Sequence, residues 1–131
     1  MEFDYIAREW DRGTLYVPVL PISLNGFPVG NALVDTGADV TVLPMVLHEV
    51  FDIDLDRDHS IEVTGANGVT FCAIPSFDKI EFCVEQAGKR ITWFGTVFFS
   101  SQEQTILLGQ YECLSELKIT LDGKRRKIRI E

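Results

Sequence analysis

No stretch of the chain approaches the ~20 consecutive apolar residues that cross a bilayer. The opening Met1-Glu2-Phe3-Asp4-Tyr5 carries acids where a secretory leader carries bases. A protein that neither spans a membrane nor is exported is therefore expected, with the cytoplasm as its place. Cysteine is scarce as well. Cys72, Cys83 and Cys113 are odd in number, far apart and without a C-x-x-C pair, which argues against a disulfide framework and against a zinc site. The thiols are expected to pack as compact hydrophobes, since only His48 and His59 are available as bases. Positive charge is in deficit, with 12 Lys and Arg against 20 Asp and Glu and a formal net charge of −8. So acidic a chain lacks the basic surface on which counterion release, and with it nucleic-acid binding, depends. The local exception, Lys124-Arg125-Arg126-Lys127 with Arg129, reads as a solvated face of the last strand. No repeat, linker or low-complexity stretch divides the 131 residues. One domain over 1–131 is expected, long enough to bury a core, with no cofactor and no metal.

What the chain does have is a succession of short β-type segments separated by turn residues, several with period-two alternation. Tyr16, Pro18, Leu20, Ile22 and Leu24 fit one face of an extended strand, Asn25-Gly26 fits a hairpin turn, and Val29 to Val34 returns. Ile61 to Thr64 and Val69 to Ile74 flank Gly65-Ala66-Asn67-Gly68, a second hairpin whose tip residues tolerate positive φ. Phe77 to Val84 and Ile91 to Phe99 flank Gln86-Ala87-Gly88-Lys89, and Leu117 to Leu121 and Lys124 to Ile130 flank Asp122-Gly123. Helix is expected only over Pro44 to Phe51 and Gln110 to Leu117. The expected class is all-β.

Within this pattern Asp35-Thr36-Gly37 follows the apolar run Ala32-Leu33-Val34 and precedes Thr41-Val42-Leu43. A carboxylate thus sits where a buried strand reverses direction. The tripeptide has a coherent chemistry: a carboxylate to handle protons, a hydroxyl to fix the loop, and a glycine that lets backbone come close. By itself it also fits an ordinary turn capped by its own side chains.

The segment Ala32-Leu33-Val34-Asp35-Thr36-Gly37-Ala38-Asp39-Val40-Thr41-Val42-Leu43 resembles the active-site segment of retropepsins, the single-domain aspartic proteases of retroviruses and their cellular relatives. Two further landmarks follow in the family's order. Val63 to Phe71 resembles the flap, and Ile106-Leu107-Leu108-Gly109 resembles the apolar-apolar-glycine loop that crosses behind the catalytic turn. The resemblance implies a closed β-barrel of hairpins with one or two short helices, one lobe per chain. It implies a homodimer, because the sequence has one Asp-Thr-Gly and no Asp-Ser-Gly, and the chemistry needs two carboxylates sharing a proton. The substrate it implies is a peptide or protein segment in extended conformation. On this resemblance Asp35 is the catalytic acid and base, Thr36 interlocks with its twin, and Gly37 contacts substrate backbone. Ala38, Asp39, Val42 and the flap residues Gly65, Ala66, Asn67 and Gly68 would bind substrate.

The chain also departs from the family. Retroviral members usually carry arginine where this chain has Gln110, and the insertion Pro44 to Asp58 looks more like cellular members. Ala38 lacks the hydroxyl that many pepsin-like enzymes place beside the catalytic carboxylate, so activity at weakly acidic to near-neutral pH is expected. The rival reading is a catalytically silent member of the same fold, kept for dimerisation or protein binding. The intact Asp-Thr-Gly favours the enzyme.

Overall fold

The computed structural model describes residues 1–65 and 68–131, and these are mostly strand. In chain order the strands are β1 (Glu2–Asp4), β2 (Ile6–Trp10), β3 (Gly13–Val17), β4 (Val19–Leu24), β5 (Phe27–Val34), β6 (Val42–Pro44), β7 (Ile61–Thr64) and β8 (Thr70–Pro75). They continue with β9 (Ile80–Gln86), β10 (Lys89–Gly95), β11 (Phe98–Ser100), β12 (Leu107–Leu108), β13 (Ile119–Asp122) and β14 (Lys127–Ile130). One short helix, α1 (Leu47–Val50), and 3-10 turns at Arg57–His59 and Leu114–Glu116 interrupt them. Among the described residues no helix is long and apolar enough to cross a membrane.

The main sheet has nine strands in the order β10-β9-β4-β5-β12-β6-β11-β8-β7. Its end strands, β10 and β7, are not paired with each other among the described residues. The expected closed barrel is thus a strongly β lobe whose hydrogen-bonded ring is open. The core fills from alternation: Leu20, Ile22 and Leu24 of β4 and Phe82 and Val84 of β9 are buried, along with Leu43, Phe99 and Leu108. Phe82 stacks on Trp93 with ring centroids 5.2 Å apart.

Several expected elements take a different form for identifiable reasons. The Asn25-Gly26 hairpin forms with both residues at positive φ, 50° and 83°, as a right-twisted two-residue turn requires. The strand before it is split at Pro18, which has no N–H for the ladder. Tyr16 therefore belongs to a separate hairpin, β2-β3, in the register Ala7↔Tyr16. The first expected helix shrinks to α1 because Pro44 pairs with Ser100 in β6-β11, and the Met45 N–H donates to the Ser100 carbonyl at 3.0 Å. The second is a turn that ends in 3-10 geometry, since Glu112 at φ 52° cannot continue a right-handed helix.

The termini form a second sheet, β1-β14-β13. In it Glu2 lies opposite Arg129 and Asp4 opposite Lys127, so the acidic start offsets the basic end within one chain. Arg129 pairs with Glu2 at 3.7 Å and Lys127 pairs with Asp4. Most of the basic run lies in the turn before β14, where the Arg126 guanidinium stacks 3.6 Å over the Tyr16 ring.

Candidate active site

Strand β5 enters the core through Ala32 and Val34, both buried, and the chain then reverses at Asp35. The turn closes on itself when the Ala38 N–H donates to the Asp35 carbonyl at 3.1 Å. It then leaves along Val40 to Leu43, all buried. Asp35 is half-buried. Its Oδ1 accepts the Gly37 N–H at 3.1 Å.

The Leu107-Leu108-Gly109 segment locks this reversal from behind. β12 pairs in parallel with Leu33 and Val34 of β5 and antiparallel with Val42 of β6. The Asp35 N–H donates to the Leu108 carbonyl at 3.1 Å, and the Gly109 N–H donates to the buried Thr41 Oγ1 at 3.0 Å. Next, the Gln110 and Tyr111 N–H groups donate to the Ala38 and Asp39 carbonyls at 2.9 and 2.8 Å. The Gln110 side-chain Nε2 donates to the Thr36 carbonyl at 2.9 Å. The carbonyls of Asp35, Thr36, Ala38 and Asp39 are thus all engaged, which holds the turn in one shape.

The two glycines of this crossing answer different demands. A Cβ on Gly109 would lie 2.3 Å from the Val40 carbonyl oxygen, so the fold itself excludes a side chain there. A Cβ on Gly37 would meet nothing nearer than the Asp35 Oδ1 at 3.5 Å, an ordinary contact.

In front of the turn lies an open cavity of about 690 Å³. Asp35, Gly37, Ala38, Asp39, Val42 and Gly65 all line it. Thr36 and Gly68 are not among the lining residues, and Ala66 and Asn67 lie outside the described residues. Sequence reasoning passed over Gln102 and Glu103, which also line it, while Leu107, Val63 and Phe71, named only as parts of the glycine loop and the flap, line it too. Period-two alternation along β7 and β8 marks Val63 and Phe71 as partners; nothing in the polar loop 101–105 marks Glu103. Among the described residues no three His, Cys, Asp or Glu side chains converge to hold a metal ion.

Thiols play no part in this site. Cys113 is buried, and burial pushes its pKa up to about 11. Cys83 is buried too. Cys72, expected in the core, is exposed because the alternation of β8 turns it outward.

A half-buried carboxylate on a strand reversal, locked by a crossing glycine loop, thus faces a groove lined in part by the β7-β8 hairpin. The aspartyl protease family model matches residues 20–111, and the chain belongs to that family, in its retropepsin-like form. The fold is similar to that of the EIAV protease complexed with the inhibitor HBY-793, with a TM-score of 0.52 and 20% identity over 72% of this chain and 82% of that one. No curated protein matches the chain.

Proposed function

We propose that the chain is one half of an aspartic endopeptidase, completed when two copies bring their Asp35 carboxylates together. The observation that carries this reading is the Asp35 carboxylate itself. It opens into the cavity with the Gly37 amide as its in-chain donor, and the sequence holds no second Asp-Thr-Gly. Two such groups brought close cannot both ionise cheaply, so the pair keeps one proton. The ionised member takes a proton from water as that water's oxygen attacks the scissile carbonyl carbon. The protonated member hydrogen-bonds the carbonyl oxygen and hands over its proton. As the gem-diol adduct collapses, the C–N bond breaks, the leaving nitrogen takes the proton of the pair, and one gem-diol hydroxyl gives its proton back to the other carboxylate as the new carboxyl C=O forms, which restores the shared-proton state.

The other roles follow from position. Thr36 is exposed beside the reversal, with its carbonyl held by Gln110, and meets its twin across the twofold axis. Gly37 has room for a side chain within its own lobe, so its bareness serves what approaches from outside: substrate backbone. Ala38, Asp39 and Val42 form the floor on which an extended peptide lies. Gly65, which lines the same cavity, and Gly68 contact the peptide as parts of the flap. With β14 already flanked on both sides by strands of its own chain, contact between copies uses the Thr36 turn and the outer edges of β1 and β13. The whole of 1–131 acts as one domain, in the cytoplasm.

The test is digestion of a peptide library by wild type and by Asp35→Asn across pH, alongside sedimentation. Cleavage by the wild type alone, in a dimer, is expected. Equal cleavage by both proteins removes Asp35 from the chemistry, and cleavage by a strict monomer removes the shared site.

A further inference from the structure

The cavity of about 690 Å³ is large enough for more than one side chain, and among the described residues its charge is of one sign. Three ionisable side chains line it, Asp35, Asp39 and Glu103, and the lining holds no Lys, Arg or His. No salt bridge among the described residues ends on Asp39 or Glu103. Glu103 is also held in place. Its Oε1 accepts the Gln104 N–H at 3.0 Å, the Thr105 N–H at 3.1 Å and the Thr105 hydroxyl at 3.0 Å. Three donors on one oxygen fix the carboxylate on the wall and leave the acceptor sites of Oε2 for a ligand. The same cavity presents Val63, Phe71 and Leu107, an apolar shelf suited to the aliphatic stem of a long cationic side chain.

We propose that Glu103 makes this groove selective for basic side chains, so that the peptides it takes carry Lys or Arg in the segment lying across Asp35. The proposal rests on the proteolytic reading of the groove for its location, and it assigns the substrate class. Asp39 adds to the same field. The net charge of −8 draws cationic peptides toward the molecule over distances that salt shortens.

The experiment separates binding from cleavage. Fluorescent peptides with Lys, Gln or Glu scanned through each position of a neutral parent are titrated against Asp35→Asn, at low and at high salt. At the responsive position the Lys peptide is expected to bind at least roughly tenfold tighter than the Glu peptide, with the difference shrinking at high salt. Glu103→Gln keeps an oxygen acceptor for the three loop donors and removes the charge. It is expected to bring the two peptides within about twofold, and Glu103→Lys to reverse their order. Equal binding of all peptides, no binding of any, or a preference that survives in Glu103→Gln overturns the proposal. Digestion of the same peptides by wild type reads the other question. Cleavage without charge preference leaves proteolysis standing and removes the role of Glu103. Charge-selective binding to Asp35→Asn without wild-type cleavage supports the basic-peptide groove and removes the protease.

Discussion

Gly37 and Gly109 are both glycines at the crossing around Asp35, and they predict opposite phenotypes. Gly109→Ala places a methyl group inside the Val40 backbone and is expected to destabilise the lobe by about 3 kcal/mol, measured as a lowered denaturant midpoint. Gly37→Ala meets only an ordinary contact, so it should unfold within about 1 kcal/mol of wild type while losing cleavage. A Gly37→Ala enzyme that still cuts would mean that nothing approaches this backbone. Glu112 supplies a pH signature. Its carboxylate sits below the usual carboxylate range because Lys79 binds it at 2.7 Å and Thr96 donates to it through Oγ1 and N–H. A depressed folded-state pKa gives stability that is full above the unfolded pKa and is lost as pH falls through the folded one. Urea midpoints should therefore fall in acid below the ordinary carboxylate pKa, and Glu112→Gln should flatten that limb. Thiol alkylation of the native protein should mark Cys72 and spare Cys113, whose thiolate is suppressed by burial.

At the scale of elements, the crossing of β12 behind the turn depends on Gln110 as well as on the glycine. Gln110→Ala removes the donor to the Thr36 carbonyl and is expected to lower kcat/KM by roughly fivefold, the worth of about one hydrogen bond. Unchanged kinetics would show that the main-chain bonds suffice. This is also where legibility in the sequence can be judged. Asp-Thr-Gly and Leu-Leu-Gly were readable through their resemblance to retropepsin segments, since Asp-Thr-Gly by itself also fits an ordinary turn. Asn25-Gly26 was readable because positive φ selects those residues. Gln110 stood out only as an unexpected residue, since its partner, the Thr36 carbonyl, lies 74 positions away. The helix expected over Gln110 to Leu117 failed for a similarly distant reason. Glu112 adopts a left-handed backbone so that its carboxylate reaches Thr96 and Lys79. The hairpin β2-β3, exposed along nearly its whole length, has no buried alternation to betray it.

For the whole molecule, the terminal sheet bears on how the proposed dimer would form. Glu2 and Asp4 oppose Arg129 and Lys127 inside one chain, which offsets the like-charge repulsion that two basic ends would bring to a shared sheet. Dimerisation is then free of that repulsion, and specific activity should fall on dilution as pairs dissociate, with sedimentation reporting the same midpoint. Activity per chain independent of concentration, down to a demonstrated monomer, would count against the shared site. The matched family region, residues 20–111, holds the Thr36 turn but excludes β1, β2, β3, β13 and β14, so the proposed contact between copies draws on both the family region and the strands outside it.

The reversal at Asp35 is completed by a bond from its N–H to the carbonyl of Leu108, a residue made long after it. Closing so large a loop comes late and slowly in folding. During synthesis, a nascent chain that has exposed Asp35 still lacks the strand that shapes the turn, and its tail must follow before the termini can pair. The reversal at Asp35 therefore takes its final shape only after the strand that carries Leu108 has been made.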